Sequence, residues 1–106
     1  MNRKPTRKSA RSEDFSKLVA IVQDEAEGLL LVAMTTRQGI FDIIALSWGD
    51  VDFAKSIIRF RSAKAHRVLE APLDDAVRTW IQRHPRPVDP NVRLFGRLAA
   101  YLIPRA

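Results

Sequence analysis

The sequence predicts an α+β fold, a helical domain with a three-stranded antiparallel sheet, and three observations predict it. Apolar residues recur at helical spacing from Phe15 to Leu46. The period then falls to two between Val51 and Ala71, and it returns to the helical value after Pro72. A chain of 106 residues has room for one core, and its 46% hydrophobic content is enough to fill it, which excludes wholesale disorder.

Ser12 reads as an N-cap followed by Glu13 and Asp14, where the helix dipole favours anions, so a first helix is expected over 13–25. Gly28 is expected to break it, and the wholly apolar run from Leu29 reads as a second, short helix ending at Thr35. Beyond Thr36-Arg37-Gln38-Gly39, the residues Ile40, Phe41, Ile43, Ile44 and Leu46 restart a helical pattern that ends near Ser47. Val51-Asp52-Phe53, Ile57 to Arg61 and Arg67 to Ala71 read as strands, the last two forming a hairpin that Pro72 stops. Asp74-Asp75 opens a further helix carrying Val77, Trp80 and Ile81, which His84-Pro85-Arg86-Pro87 ends. A last apolar piece from Val92 to Ile103 is expected to hold one more short helix.

Composition removes several function classes. With no cysteine and two isolated histidines, thiol chemistry, a disulfide framework and a zinc cluster are not expected, and no metal or other cofactor is implied. The longest apolar run, Leu29 to Met34, is far too short to span a membrane, and no apolar stretch backs the N-terminal charges as in a signal peptide. A cytoplasmic protein with no membrane partner is expected.

The net charge of +6 is unevenly placed: residues 1–11 carry +5 and residues 12–106 only +1. The first segment, with Arg3, Lys4, Arg7, Lys8 and Arg11, reads as a basic flexible tail serving either solubility or loose contact with polyphosphate. Residues 12–106 make the folded domain. Within it, 55–67 holds Lys55, Arg59, Arg61, Lys64, His66 and Arg67 and no acid. Arg59 and Arg61 alternate with Ile58 and Phe60, so their guanidinium groups are expected to leave the core side together. Such a face is either a solvated sheet surface or a phosphate-binding edge for DNA.

The run Thr35-Thr36-Arg37-Gln38-Gly39-Ile40-Phe41-Asp42-Ile43-Ile44-Ala45-Leu46-Ser47-Trp48-Gly49-Asp50-Val51-Asp52 resembles the first catalytic-motif region of the tyrosine recombinases, the phage integrase family. That region reads Thr-Gly-x-Arg, a spacer, an acid, two aliphatics, Ala-Leu, then Trp and two Asp spaced two apart. Lys64, followed by Pro72-Leu73, resembles the family's hairpin lysine and the Pro-Leu beyond its third strand. The resemblance covers about residues 12–97. It implies DNA integration and site-specific recombination. In the family a tyrosine attacks a phosphodiester, two arginines and a histidine stabilise the phosphorane, and the hairpin lysine, here Lys64, protonates the leaving oxygen without a metal.

The departures from the pattern set the functional expectation. Gly39 stands where the family has its first catalytic arginine, and Arg37 where it has glycine, as though the two were exchanged. On a helix end that two-residue displacement turns a side chain by roughly 200°, so Arg37 is a displaced arginine rather than a replacement. No His-x-x-Arg motif occurs, His84 being followed by Pro85-Arg86-Pro87, and Tyr101 lies among apolar neighbours that favour packing over nucleophilic attack. The resemblance implies a partial integrase-like catalytic domain, the N-terminal half of that fold. Its expected activity is at most binding of the DNA backbone through Lys55, Arg59, Arg61, His66 and Arg67. The alternative is an interaction remnant that pairs with itself or with a full-length recombinase through apolar surface on 29–35 and 40–46.

Overall fold

The computed structural model describes residues 5–62 and 66–102. The elements in chain order are α1 (Pro5–Thr36), α2 (Ile40–Ile44), a 3₁₀ turn (Trp48–Asp50), β1 (Val51–Asp52), β2 (Ile57–Ser62), β3 (Arg67–Pro72), α3 (Asp75–Gln82) and α4 (Gly96–Leu102). The expected α+β class holds, with its helices and a three-stranded antiparallel sheet in the order β1-β2-β3.

The helical part differs from the sequence expectation in a specific way. One continuous helix replaces the two separate helices, and it begins at Pro5, so Ser12 lies inside it and the helical backbone reaches into the segment read as a tail. Gly28 does not break the helix. It is a packing notch: a Cβ built there would lie 2.5 Å from Cε2 of Trp80, so glycine lets the α3 indole seat directly on the α1 backbone. The helix ends at Thr36, where Arg37 takes a left-handed backbone (φ 61°) and its N–H donates to the Ala33 carbonyl at 2.9 Å. α2 is shorter than the apolar pattern suggests, stopping at Ile44, because the chain must turn to deliver Leu46 and Trp48 into the core.

The sheet follows the period-two reading closely. Ile58 pairs with Ala71 and Phe60 with Leu69 across β2 and β3, while Val51 pairs with Ile58 across β1 and β2. This register stacks Val51, Ile58, Phe60 and Ala71 on the buried face. α3 is capped by Asp74, whose carboxylate accepts from the Ala76 N–H at 2.9 Å, and it buries Val77, Trp80 and Ile81. Segment 90–94 runs alongside 46–49, with the Trp48 N–H donating to the Val92 carbonyl and the Leu94 N–H to Leu46. It delivers Leu94 and Phe95 to the same core, where the Phe95 ring lies 5.3 Å from the Trp80 ring.

Acids on α1 tie the later helices down. Glu25 accepts from the Leu98 N–H at 2.9 Å and the Arg97 N–H at 3.3 Å, capping the start of α4. Asp24 meets His84 and Arg83 at the end of α3, and its carbonyl accepts from the Trp80 indole N–H at 3.1 Å. No helix among the described residues is long and apolar enough to cross a membrane.

Candidate nucleic-acid interface

The outer face of the sheet carries the charged residues. Strand alternation sends Ile58 and Phe60 into the core, each 1% exposed, and sends Arg59 and Arg61 the other way, as their spacing requires. The arginines are not alone there. Arg59 Nη2 lies 3.3 Å from Asp52 and its Nε 3.5 Å from Glu70, while Arg61 Nε donates to Asp50 Oδ1 at 3.1 Å. Three carboxylates therefore meet two guanidinium groups. The acid-free hairpin of the sequence is no uniformly positive face in the fold, because β1, the 3₁₀ turn and β3 bring acids onto it from either side of the 55–67 window.

The two arginines differ in what remains available. Arg59 is pinned between two carboxylates and is 30% exposed. Arg61 is 72% exposed, and its ion pair uses Nε against an aspartate whose side chain is only 7% exposed. Asp50 is itself held, accepting from the Ser47 backbone N–H at 3.0 Å and from the Ser47 hydroxyl at 3.2 Å. The result is a relay of fixed groups from Ser47 through Asp50 to Arg61. A buried carboxylate needs compensation, so it anchors the guanidinium from beneath and leaves the Nη edge toward solvent.

Asp52 shows the same economy on a smaller scale. The backbone N–H of Lys55, donating at 2.9 Å, holds its carboxyl below the ordinary value; burial opposes this less strongly, and the hydrogen bond and charge of Arg59 add to the lowering. Asp52 thereby closes the β1–β2 turn and fixes Arg59 together. Lys55 is exposed on that turn. His66, with a left-handed φ of 53°, and Arg67 are exposed at the start of β3. Lys64 lies outside the described residues.

Arg37 and Gly39 belong to a different region, the connection between α1 and α2. This stretch is not helical, so the expected rotation of a side chain about a helix axis does not apply to it. Its backbone treats the two positions differently. Position 37 has the left-handed conformation that favours glycine and holds arginine, whereas Gly39 has φ −72° and ψ 155°, which any residue adopts. A Cβ at Gly39 would touch nothing within 4 Å. Among the described residues no hydrogen bond or ion pair joins this connection to the sheet arginines. Tyr101 is not packed as its neighbours suggest: it is 65% exposed, because α4 buries Ala99 and position 101 faces away from it.

Sequence reasoning missed Asp50 as the anchor of the site. The signal was partial: Asp52 alternates with the apolar Val51 and so falls on the face that Arg59 and Arg61 share once the strands pair, whereas Asp50 ends the 3₁₀ turn before β1, where strand alternation does not place it, and is buried. No family model, curated protein or solved structure matches this chain.

Proposed function

We propose that this chain is a DNA-backbone-binding domain built like the first half of a tyrosine-recombinase catalytic domain, without strand-transfer activity of its own. The observation that carries the binding reading is Arg61, latched through Nε to buried Asp50 with its outer edge open. A guanidinium held this way meets a phosphate with little loss of side-chain freedom on binding. Arg67 and His66 extend the exposed basic surface toward the hairpin tip, whereas Arg59, tied to Asp52 and Glu70, serves mainly to order the sheet. The order of elements, helix, short helix, three antiparallel strands and helix, supports the family part of the reading. Gly39 supplies no side chain where the family places an arginine, and the 106 residues contain no His-x-x-Arg motif, so strand transfer is not part of the proposal.

Fluorescence anisotropy with a labelled duplex tests this. Binding at about 50 mM salt should weaken steeply as salt rises and should vary little with sequence. Arg61→Gln should reduce the salt slope by about one and weaken all duplexes alike. Absence of duplex binding at low salt, or an Arg61→Gln protein with unchanged affinity and slope, overturns the reading.

A second reading, self-association, rests on Met34 and Phe41, which are 75% and 66% exposed at the α1–α2 corner beside exposed Leu30 and Ile40. Sedimentation separates the two. An oligomer that persists at high salt and is lost on Met34→Ser with Phe41→Ser supports it, and a monomer at all concentrations rejects it.

A further inference from the structure

We propose that the cleft between the β1–β2 turn and segment 84–87 is a separate phosphomonoester site, with Arg86 as its cation and Phe53 as its platform. The cleft is an open cavity of about 470 Å³ whose walls include Val51, Asp52, Phe53, Ala54, Arg59 and Arg86. Its two cations are in different states. Arg59 is already committed to Asp52 and Glu70. The exposed Arg86 guanidinium lies over the Phe53 ring at 5.4 Å, and among the described residues no carboxylate lies within ion-pair distance of it. Stacking holds the plane of a guanidinium while leaving its N–H edge free to donate.

The platform is fixed from another direction. The Arg78 guanidinium lies 5.6 Å from the Phe53 ring centre, and its Nη2 donates to the Phe53 carbonyl at 3.1 Å and to the Ser56 hydroxyl. Ser56 is in turn held in a left-handed turn whose carbonyl accepts from the Leu73 N–H at 2.8 Å. Phe53 is therefore set before any ligand arrives.

The ligand class follows from charge and shape. A phosphomonoester brings a charge of about −1.5 to −2 and three acceptor oxygens, which suits a cation with several free donors. The volume exceeds what a bare phosphate fills, and Phe53 and Ala54 offer apolar surface to an organic body. A neighbouring cavity of about 270 Å³ shares Phe53 and Arg86 and adds Trp48, Gln82 and His84, so both residues line two adjoining spaces. A small planar body on the phosphate fits this arrangement better than a long chain.

Titration of the full chain with inorganic phosphate and with phenyl phosphate, read by amide NMR shifts at low ionic strength, tests the site. Both probes should give saturable shifts at Gly49, Phe53, Ala54 and Arg86, with phenyl phosphate the tighter by about tenfold. Arg86→Gln, at an exposed position, should melt like the wild type and bind both probes about tenfold more weakly. Phe53→Leu should keep the phosphate response and lose the preference for the phenyl body. Arg61→Gln should leave both titrations unchanged, which separates this site from DNA-backbone binding. No saturable shift in the wild type, equal binding by Arg86→Gln, or shifts that move to the Arg61 face overturn the proposal.

Discussion

Gly28 of α1 lies so close beneath the indole of Trp80 that a single added methyl would fall 2.5–2.7 Å from three ring carbons. The relationship joins the long helix to the helix that follows the sheet, and three other contacts gather around it. The indole N–H donates to the Asp24 carbonyl, the indole ring stacks near His84 at 4.3 Å, and its other neighbour is the Phe95 ring. Both His84 ring nitrogens face oxygens, Nδ1 the Trp80 carbonyl at 2.8 Å and Nε2 the Asp24 carboxylate.

Gly28→Ala should therefore destabilise the protein although alanine is the better helix former. Overpacking costs about 1–3 kcal/mol, against roughly 1 kcal/mol of helix propensity gained. A melting temperature lowered by several degrees is expected. In a Trp80→Ala background, itself about 3–5 kcal/mol less stable, the same substitution should become neutral or stabilising. A penalty that survives the loss of the indole would contradict the packing account.

The α1–α2 connection should accept the reverse of its present residues. Arg37→Gly relieves a left-handed backbone and should raise stability by about 1 kcal/mol. Gly39→Ser finds open space at the N-cap of α2, which has no side-chain cap, and should add a few tenths of a kcal/mol, since glycine is already a tolerable cap. Chemical denaturation of the two single variants measures both gains; a loss at either position contradicts its backbone assignment.

Asp50 should prove more important to the fold than its partner. Asp50→Ala removes an acceptor used by the Ser47 N–H, the Ser47 hydroxyl and Arg61, and a cost of about 3 kcal/mol is expected. Arg61→Gln should cost much less, since Asp50 keeps both Ser47 donors. Asp50→Asn retains the arginine but weakens its anchor, so duplex affinity should fall while the charge of Arg61 is intact. Urea melts and anisotropy on the three variants separate folding from binding.

Acid should weaken the β1–β2 turn through Asp52. Its carboxyl is held below the ordinary 3.8 in the fold, so the stability it contributes is fully present above that value and is lost as pH falls through the lower folded value. Asp52→Asn removes that contribution at every pH and should flatten the acid limb of a stability-against-pH curve. Parallel acid limbs in the two proteins would reject the assignment.

Much of the fold was legible because it rests on local periodicity. Ile58 and Phe60 against Arg59 and Arg61 announced both the strand and its faces, and Asp74 announced the start of α3. The continuity of α1 was not legible. A glycine between two apolar stretches signals a break unless something fills the space above it, and the filler, Trp80, comes from a distant part of the chain. The charge state of the sheet face was hidden for a related reason. The hairpin holds no acid between residues 55 and 67, but Asp50, Asp52 and Glu70 flank that window and strand pairing carries them onto its arginines.

By itself the sequence determined the helix-to-strand-to-helix order, the single antiparallel sheet and the side of each strand that enters the core, because these depend on backbone geometry over a few residues. Only the tertiary structure decided which basic groups stay available. Register places carboxylates against Arg59 and Arg61, a buried aspartate turns Arg61 into a fixed outward fork, and the packing of α3 against the β1–β2 turn sets Arg86 over Phe53. Each is a relation between segments whose separation in space the order of residues does not state.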